Sequence, residues 1–364
     1  VKISTDEGIE GWGEMISGTK TETVVAGAYE IGNRLIGRNP FEIERLFQEM
    51  HRSFFRGGPI NGTIVSGLEM ALWDIKGKAF NVPVYELLGG AARDKIKVYS
   101  WIGGDRPSEV AEQAQDRFDR GFTAVKMNAT EELHYIDSYQ KVDEVVERVA
   151  SIRERFGDAM DIGVDFHGRV HKPMAKVLAK ALEPFHPMFL EEVVLPENEE
   201  HFKEVADSVA VPLATGERLY TRWQFKNLFK QGTVDIIQPD VALCGGILET
   251  RKIAAMAEAY DMAVAPHAPY GPVALAATLQ VDSCTPNVFI QEQSLGIHYN
   301  KGFDLLDFVK NKEVFQYKDG YVDLPSKPGL GLEMDEDKIK EIAQEGLIWT
   351  NPQWKNYDGT IAEW

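Results

Sequence analysis

Polar residues close a series of short apolar runs at positions 165, 191, 217, 240, 267 and 292, in steps of 26, 26, 23, 27 and 25 residues. A step of that size holds one strand, one loop and one helix, so its repetition demands a parallel sheet built from βα units. Eight strands are expected: Ile96–Ser100, Ala124–Asn128, Asp161–Phe166, Met188–Glu191, Leu213–Thr215, Ile236–Gln238, Ala263–Pro266 and Val288–Gln291. Helical spacing fills the intervals, for example over Pro107–Arg120, Asp137–Phe156, Met174–Leu182, Tyr220–Lys230 and Ile247–Tyr260. A doubly wound sheet would need a Gly-rich phosphate turn after an early strand, and none is present. The expectation is an α/β fold: a (β/α)8 TIM-like barrel.

The first ninety or so residues follow another pattern. A hairpin is expected around Asp6-Glu7-Gly8, then helices over Thr21–Ile36, Phe41–Phe54 and Gly62–Phe80. The sequence divides accordingly into an α+β capping domain (1–94), the barrel (95–297) and a C-terminal segment (298–364) packing back on the cap. It opens on Val1-Lys2-Ile3-Ser4, which reads as a strand, so an N-terminal strand is expected to lie outside it.

The net charge is −18, from 39 basic and 57 acidic residues, which argues against nucleic acid or an anionic membrane as partner. No run of about 20 apolar residues is available to span a bilayer. Two cysteines, Cys244 and Cys284, make no disulfide framework, so a cytoplasmic home is expected.

In a barrel of this kind the chemistry lies at the C-terminal ends of the strands. Asp165, Glu191 and Glu217 stand there at equal spacing. Three converging carboxylates repel one another unless a cation neutralises them. An all-oxygen donor set favours Mg2+, with Mn2+ as the second choice. Glu192 is the rival to Glu191, but strand alternation turns it the other way. His167 lies two residues beyond Asp165, and alternation sends both to one face. His267 ends the seventh strand on the opposite arc, where Asp240 of the sixth can fix its tautomer. Glu292 is a candidate proton donor toward a substrate carboxylate. His171, His186 and His298 have no such placement. A cation, two facing histidines and a carboxylate substrate together suit abstraction of an α-proton, followed by loss of a β-hydroxyl as water.

These residues carry a resemblance. The stretches Gly163-Val-Asp-Phe-His-Gly-Arg169, Gly216-Glu-Arg218, Ile237-Gln-Pro-Asp240, Gln291-Glu-Gln-Ser-Leu-Gly-Ile-His-Tyr-Asn300 and Ala362-Glu-Trp364 resemble the mandelate racemase branch of the enolase superfamily, over essentially the whole chain. The resemblance implies Asp165, Glu191 and Glu217 as Mg2+ ligands, His267 backed by Asp240 as the base at C2, His167 as the acid expelling the 3-hydroxyl, and Glu292 as hydrogen-bond partner of the enediolate. It implies Asn128 and Arg56 as substrate-binding residues, and a homo-oligomer. The racemases of the branch carry a Lys-x-Lys pair on the second strand; here it reads Lys126-Met127-Asn128. That favours a two-histidine dehydratase over a racemase or epimerase, and the resemblance implies a sugar acid, D-galactonate or a close epimer, as substrate, with another aldonate or aldarate as the alternative. Departures from the family pattern fall at Glu191-Glu192-Val193, at Ala242-Leu243-Cys244 and at Ala268-Pro269-Tyr270.

Overall fold

The computed structural model describes residues 1–16, 18–52, 58–293, 304–344 and 351–363. The chain begins with strands β1 (Lys2–Ser4) and β2 (Glu10–Trp12), then helices α1 (Thr21–Gly32), α2 (Ile43–His51), α3 (Pro59–Phe80) and α4 (Val84–Leu87). β1 and β2 form an antiparallel hairpin that packs on α3. Pro59 opens α3, where its missing N–H costs no helical bond, and Asn81 closes it in the left-handed region at φ 55°.

The barrel alternates β3 (Lys95–Ile102), α5 (Val110–Asp119), β4 (Ala124–Asn128), α6 (Tyr139–Phe156), β5 (Asp161–Asp165), α7 (Lys172–Leu182), β6 (Phe189–Glu191), α8 (Phe202–Ala206), β7 (Leu213–Thr215), α9 (Thr221–Gln231), β8 (Ile236–Ile237), α10 (Ile247–Ala259), β9 (Ala263–Val264), α11 (Pro272–Ser283) and β10 (Gln291–Gln293). Adjacent strands from β3 to β9 run parallel in sequence order. β10 pairs with β3, and a Val264–Val288 bridge joins its approach to β9, so the sheet closes.

Alternation sorts the side chains into two sets. Val125, Met127, Ile162, Val164, Leu190, Leu213, Ile237 and Val264 face the helices in the larger core. Tyr99, Ala124, Phe189, Ala214, Ile236, Ala265 and Ile290 fill the interior. Large and small residues interdigitate there: a Cβ on Gly163 would lie 2.8–2.9 Å from the Phe189 ring. The polar residues of the strand ends continue the interior rows, as in Ala124–Lys126–Asn128 and Phe189–Glu191.

Several boundaries differ from the sequence reading. The eighth strand is Gln291–Gln293 rather than Val288–Gln291, because the chain at Val288 makes only an isolated bridge. The sixth and seventh strands shrink to two residues each. Helix α11 fills the interval before the last strand, where the sequence reading gave no bounds; all twelve of its residues are buried, so no polar face marks it in sequence. After β10, strand β12 (Tyr321–Asp323) pairs with the start of β3 and with β11 (Tyr317–Lys318) on its other edge, and α12 (Glu336–Gln344) follows. This segment also touches the cap, through Leu330 N–H on Asp74 and a Lys2–Glu336 ion pair.

Candidate active site

Strand register brings the acids together. Asn128 aligns with Asp165, and Asp165 with Glu191. Glu217 lies two residues past β7. Gly216 between them has φ 139°, a backbone that breaks strict alternation. Carboxylate oxygens of Asp165, Glu191 and Glu217 lie within 4.8 Å of one another, and all three residues are buried. Glu192 turns away in a left-handed conformation at φ 45°, and its carboxylate accepts from Thr215 Oγ1 at 2.5 Å and Gly216 N at 3.2 Å.

The cluster fits a cation. Glu217 Oε2 is buried and makes no hydrogen bond, with only the His267 Nε2 at 3.3 Å beside it, and leaving a buried charged oxygen unbonded is costly. The donors are all oxygens, which suits Mg2+. Asp165 and Glu191 are already oriented. Asp165 accepts from His167 N at 2.6 Å, and Glu191 accepts from Gln238 Nε2 at 2.6 Å.

Lys126 was quoted in the sequence reading but given no role. It is buried, with Nζ 2.6 Å from Glu191, 2.7 Å from Glu292 and 3.9 Å from Asp165. Burial alone would depress its pKa, but Glu191 and Glu292 hold it well above the ordinary lysine value. Its signal was available: Lys126 and Asn128 are two apart on one strand and share the interior face. Gln238, on the same row as Asp240, was missed for the same reason.

His267 sits between carboxylates. Its Nδ1 is 2.8 Å from Asp240 Oδ2, and its Nε2 is 3.3 Å from Glu217 and 3.9 Å from Glu292. Burial would lower the imidazole pKa, but Glu217, Glu292 and Asp240 raise it to about 10. Burial likewise opposes ionisation of Glu217, yet His267 and Arg218 hold its pKa far below the usual carboxylate range. Asp240 is itself fixed by the Ala242 N–H at 2.7 Å. Both Glu292 oxygens are engaged, one by Lys126 and one by the Ala268 N–H at 3.0 Å.

His167 reaches the cluster by another route than alternation. It lies beyond the end of β5 with φ 54°, so a turn folds its ring back until Nδ1 is 3.0 Å from Asp165 Oδ2. Arg218 Nη2 donates to the His167 carbonyl at 2.7 Å and supports that turn. Asn128 is buried, with its Nδ2 3.5 Å from the Asp105 carbonyl and its Oδ1 without a donor. Arg56 and His298 lie outside the described residues. His171 stacks on Tyr135 with ring centroids 3.6 Å apart, and so belongs to the loops rather than the cluster.

Known proteins resemble this chain in sequence and fold. The pattern of the mandelate racemase / muconate lactonizing enzyme N-terminal domain matches residues 1–89. The enolase C-terminal domain-like pattern matches residues 109–338. Among curated relatives, the D-galactonate dehydratases of Variovorax paradoxus (strain S110) and Klebsiella pneumoniae (strain 342) are 51% and 52% identical, over the whole of this chain and 96% of each relative. The crystal structure of an enolase from Agrobacterium radiobacter, solved with sodium and L-malate bound, superposes with a TM-score of 0.89 at 34% identity. The match covers 99% of this chain and 94% of that one. A member of the enolase superfamily from Salmonella typhimurium superposes at 0.82 with 31% identity, over 93% of this chain and 92% of that one.

Proposed function

This chain belongs to the mandelate racemase/muconate lactonizing enzyme family, and from that premise we propose that it is a metal-dependent hydro-lyase converting D-galactonate to 2-dehydro-3-deoxy-galactonate. The observation that carries the reading is a histidine on each arc of a barrel mouth, with the three-carboxylate cluster between them.

Asp165, Glu191 and Glu217 would hold the cation. When bound, it supplies the positive charge that makes the proton beside a carboxylate acidic. With a cation on Glu217 drawing off the charge that keeps the ring protonated, His267 would take the C2 proton at Nε2. The Nδ1–H, directed at Asp240, fixes the tautomer that leaves Nε2 free. Glu292 lies beside His267, where it would donate a hydrogen bond to charge developing on the substrate carboxylate when it carries a proton. His167, on the facing arc, gives its proton to the 3-hydroxyl, the C3–O bond breaks and water leaves. The resulting enol becomes the 2-keto acid on protonation at C3. Lys126 offsets the negative charge of Glu191 and Glu292, so that the cation need balance less of it. Asn128 stands at the end of β4, where racemases of the family place a second lysine, and it supplies no base. Its unbonded Oδ1 is a candidate contact for a sugar hydroxyl.

The reading extends to Mg2+, supported by the all-oxygen donor set, and to a cytoplasmic homo-oligomer. Both cysteines are buried free thiols, as suits a reducing compartment. Among the described residues no helix is long and apolar enough to cross a membrane.

A panel of aldonic and aldaric acids, incubated with the protein and Mg2+ and assayed for 2-keto product, tests the proposal. D-galactonate is expected to be turned over, and His267→Asn to lose at least about 10³-fold in kcat. A panel without any keto product would overturn it.

A further inference from the structure

Helices α10 and α11 follow the two strands whose ends carry Asp240 and His267. Both lack a cap of their own. The residue before each is a glycine, Gly246 and Gly271, with no side chain to accept from the first turn. Unsatisfied N–H groups at a buried helix start are costly.

The capping domain supplies the acceptors. Glu14, just beyond β2, accepts from Gly271 N at 2.7 Å with one oxygen, and from Val273 N at 3.1 Å and Ala274 N at 3.0 Å with the other. Pro272 has no N–H, so the first turn of α11 is satisfied by this one carboxylate. Glu69 of α3 does the same for α10, accepting from Ile247 N at 2.8 Å and Leu248 N at 3.0 Å, while Trp73 Nε1 holds it at 2.7 Å. Ser66, one turn earlier on α3, accepts from Gly245 N at 2.9 Å. The fit is close: a Cβ on Gly246 would overlap the Glu69 carboxylate, and one on Gly271 that of Glu14.

What is held is the short chain between dyad and helix. Asp240 folds directly into a turn, with Leu243 N and Cys244 N on its carbonyl, and the Ser66 and Glu69 contacts begin at Gly245. His267 leads through Ala268 and Pro269 to Tyr270, whose ring meets the imidazole edge-on at 5.6 Å, and the Glu14 grip begins at Gly271. The two loops are bridged at Asp240 and His267 themselves, by backbone and by the 2.8 Å side-chain bond.

We propose that Glu14 and Glu69 are positioning residues for the reaction: acting from the capping domain, each clamps one of the loops behind the His267–Asp240 pair, so that docking of the cap sets where the base stands. The inference rests on the dehydratase reading for its kinetic arm. The carboxylate cluster hangs on β5, β6 and β7, away from both clamps, so substrate binding at the metal should survive their loss while proton abstraction should not.

The test compares the whole, Mg2+-loaded wild-type chain with Glu14→Gln, Glu69→Gln and a control, Asp74→Asn. Asp74 also ties the cap down, through Trp12 N and Leu330 N, but touches neither α10 nor α11. Each glutamine keeps one acceptor oxygen and turns a donor toward the remaining N–H groups. The expected result is a fall in kcat of about 10-fold or more, as for a base displaced by a fraction of an ångström. KM should stay within about 2-fold, and the pH profile of kcat should shift, for both variants but not for Asp74→Asn. Nitrogen NMR of the His267 ring, without substrate, reads the same displacement independently of turnover. If Glu14→Gln does not fold, Glu14→Asp, which keeps the charge and withdraws it by one methylene, is expected to show the same split. Unchanged kcat and an unchanged His267 signal in both clamp variants would overturn the inference, as would an equal kcat loss in Asp74→Asn. Failure of wild type to dehydrate D-galactonate would instead count against the proposed function, leaving the NMR comparison to decide the clamp.

Discussion

Glu69 is a buried carboxylate whose pKa burial raises to about 7, against the pull of the Leu248, Ile247 and Trp73 N–H groups. A carboxyl raised in the folded state favours folding while protonated. Its contribution is complete below the ordinary value of 4.5 and is lost as pH rises through about 7. Urea unfolding of wild type and Glu69→Gln at several pH values should therefore show wild type losing ground between those limits, by up to about 3 kcal/mol. A difference that stays flat with pH would contradict the shift. Residues that belong to a regular row were legible in the sequence: Asp165, Glu191, Asp240, His267 and Glu292 each extend an interior row of the barrel. Lys126 belongs to such a row too, and was passed over because its partners, Glu191 and Glu292, sit on other strands. Glu14 and Glu69 were invisible, because their ligands are backbone N–H groups more than 170 residues away, and an N–H leaves no mark in a sequence.

At the scale of elements, the fold was legible wherever burial is one-sided. Helices α6 and α7 alternate buried and exposed faces and were read to within two residues at each end. α11 is buried all round and its bounds were not read, because periodicity vanishes when every face is covered. Strands β8 and β9 are short: beyond them Asp240 and His267 meet in an isolated bridge, and the Asp240 carbonyl already accepts from Leu243 and Cys244 N–H in a turn. The barrel interior offers a sharp test of packing. Gly163 faces the Phe189 ring, and a branched side chain there must displace it. Gly163→Val is expected to destabilise the protein by about 1–3 kcal/mol, read as a lowered urea midpoint with unchanged slope. Wild-type stability in that variant would mean that the interior is looser than the structure shows.

For the molecule as a whole, cap and barrel are one device. Glycines at 13 and 67 let β2 and α3 approach backbone to backbone, so that Glu14 and Glu69 reach the barrel together. The cap therefore caps two of the helices that support the mouth. The barrel places the carboxylate cluster on one set of strands and the His267–Asp240 pair on the next, with His167 turned in from the other side. That division predicts an order of events in which water is lost only after the C2 proton has gone, and only with a divalent cation present. Proton NMR of D-galactonate incubated with the enzyme in deuterium oxide follows both steps at once. With Mg2+ the expected product is 2-dehydro-3-deoxy-galactonate carrying deuterium at C3, and chelation should stop its formation until the cation is restored. Exchange of the C2 proton without any dehydration, or product formed equally in the presence of chelator, would contradict the two-histidine, cation-dependent site described for this fold.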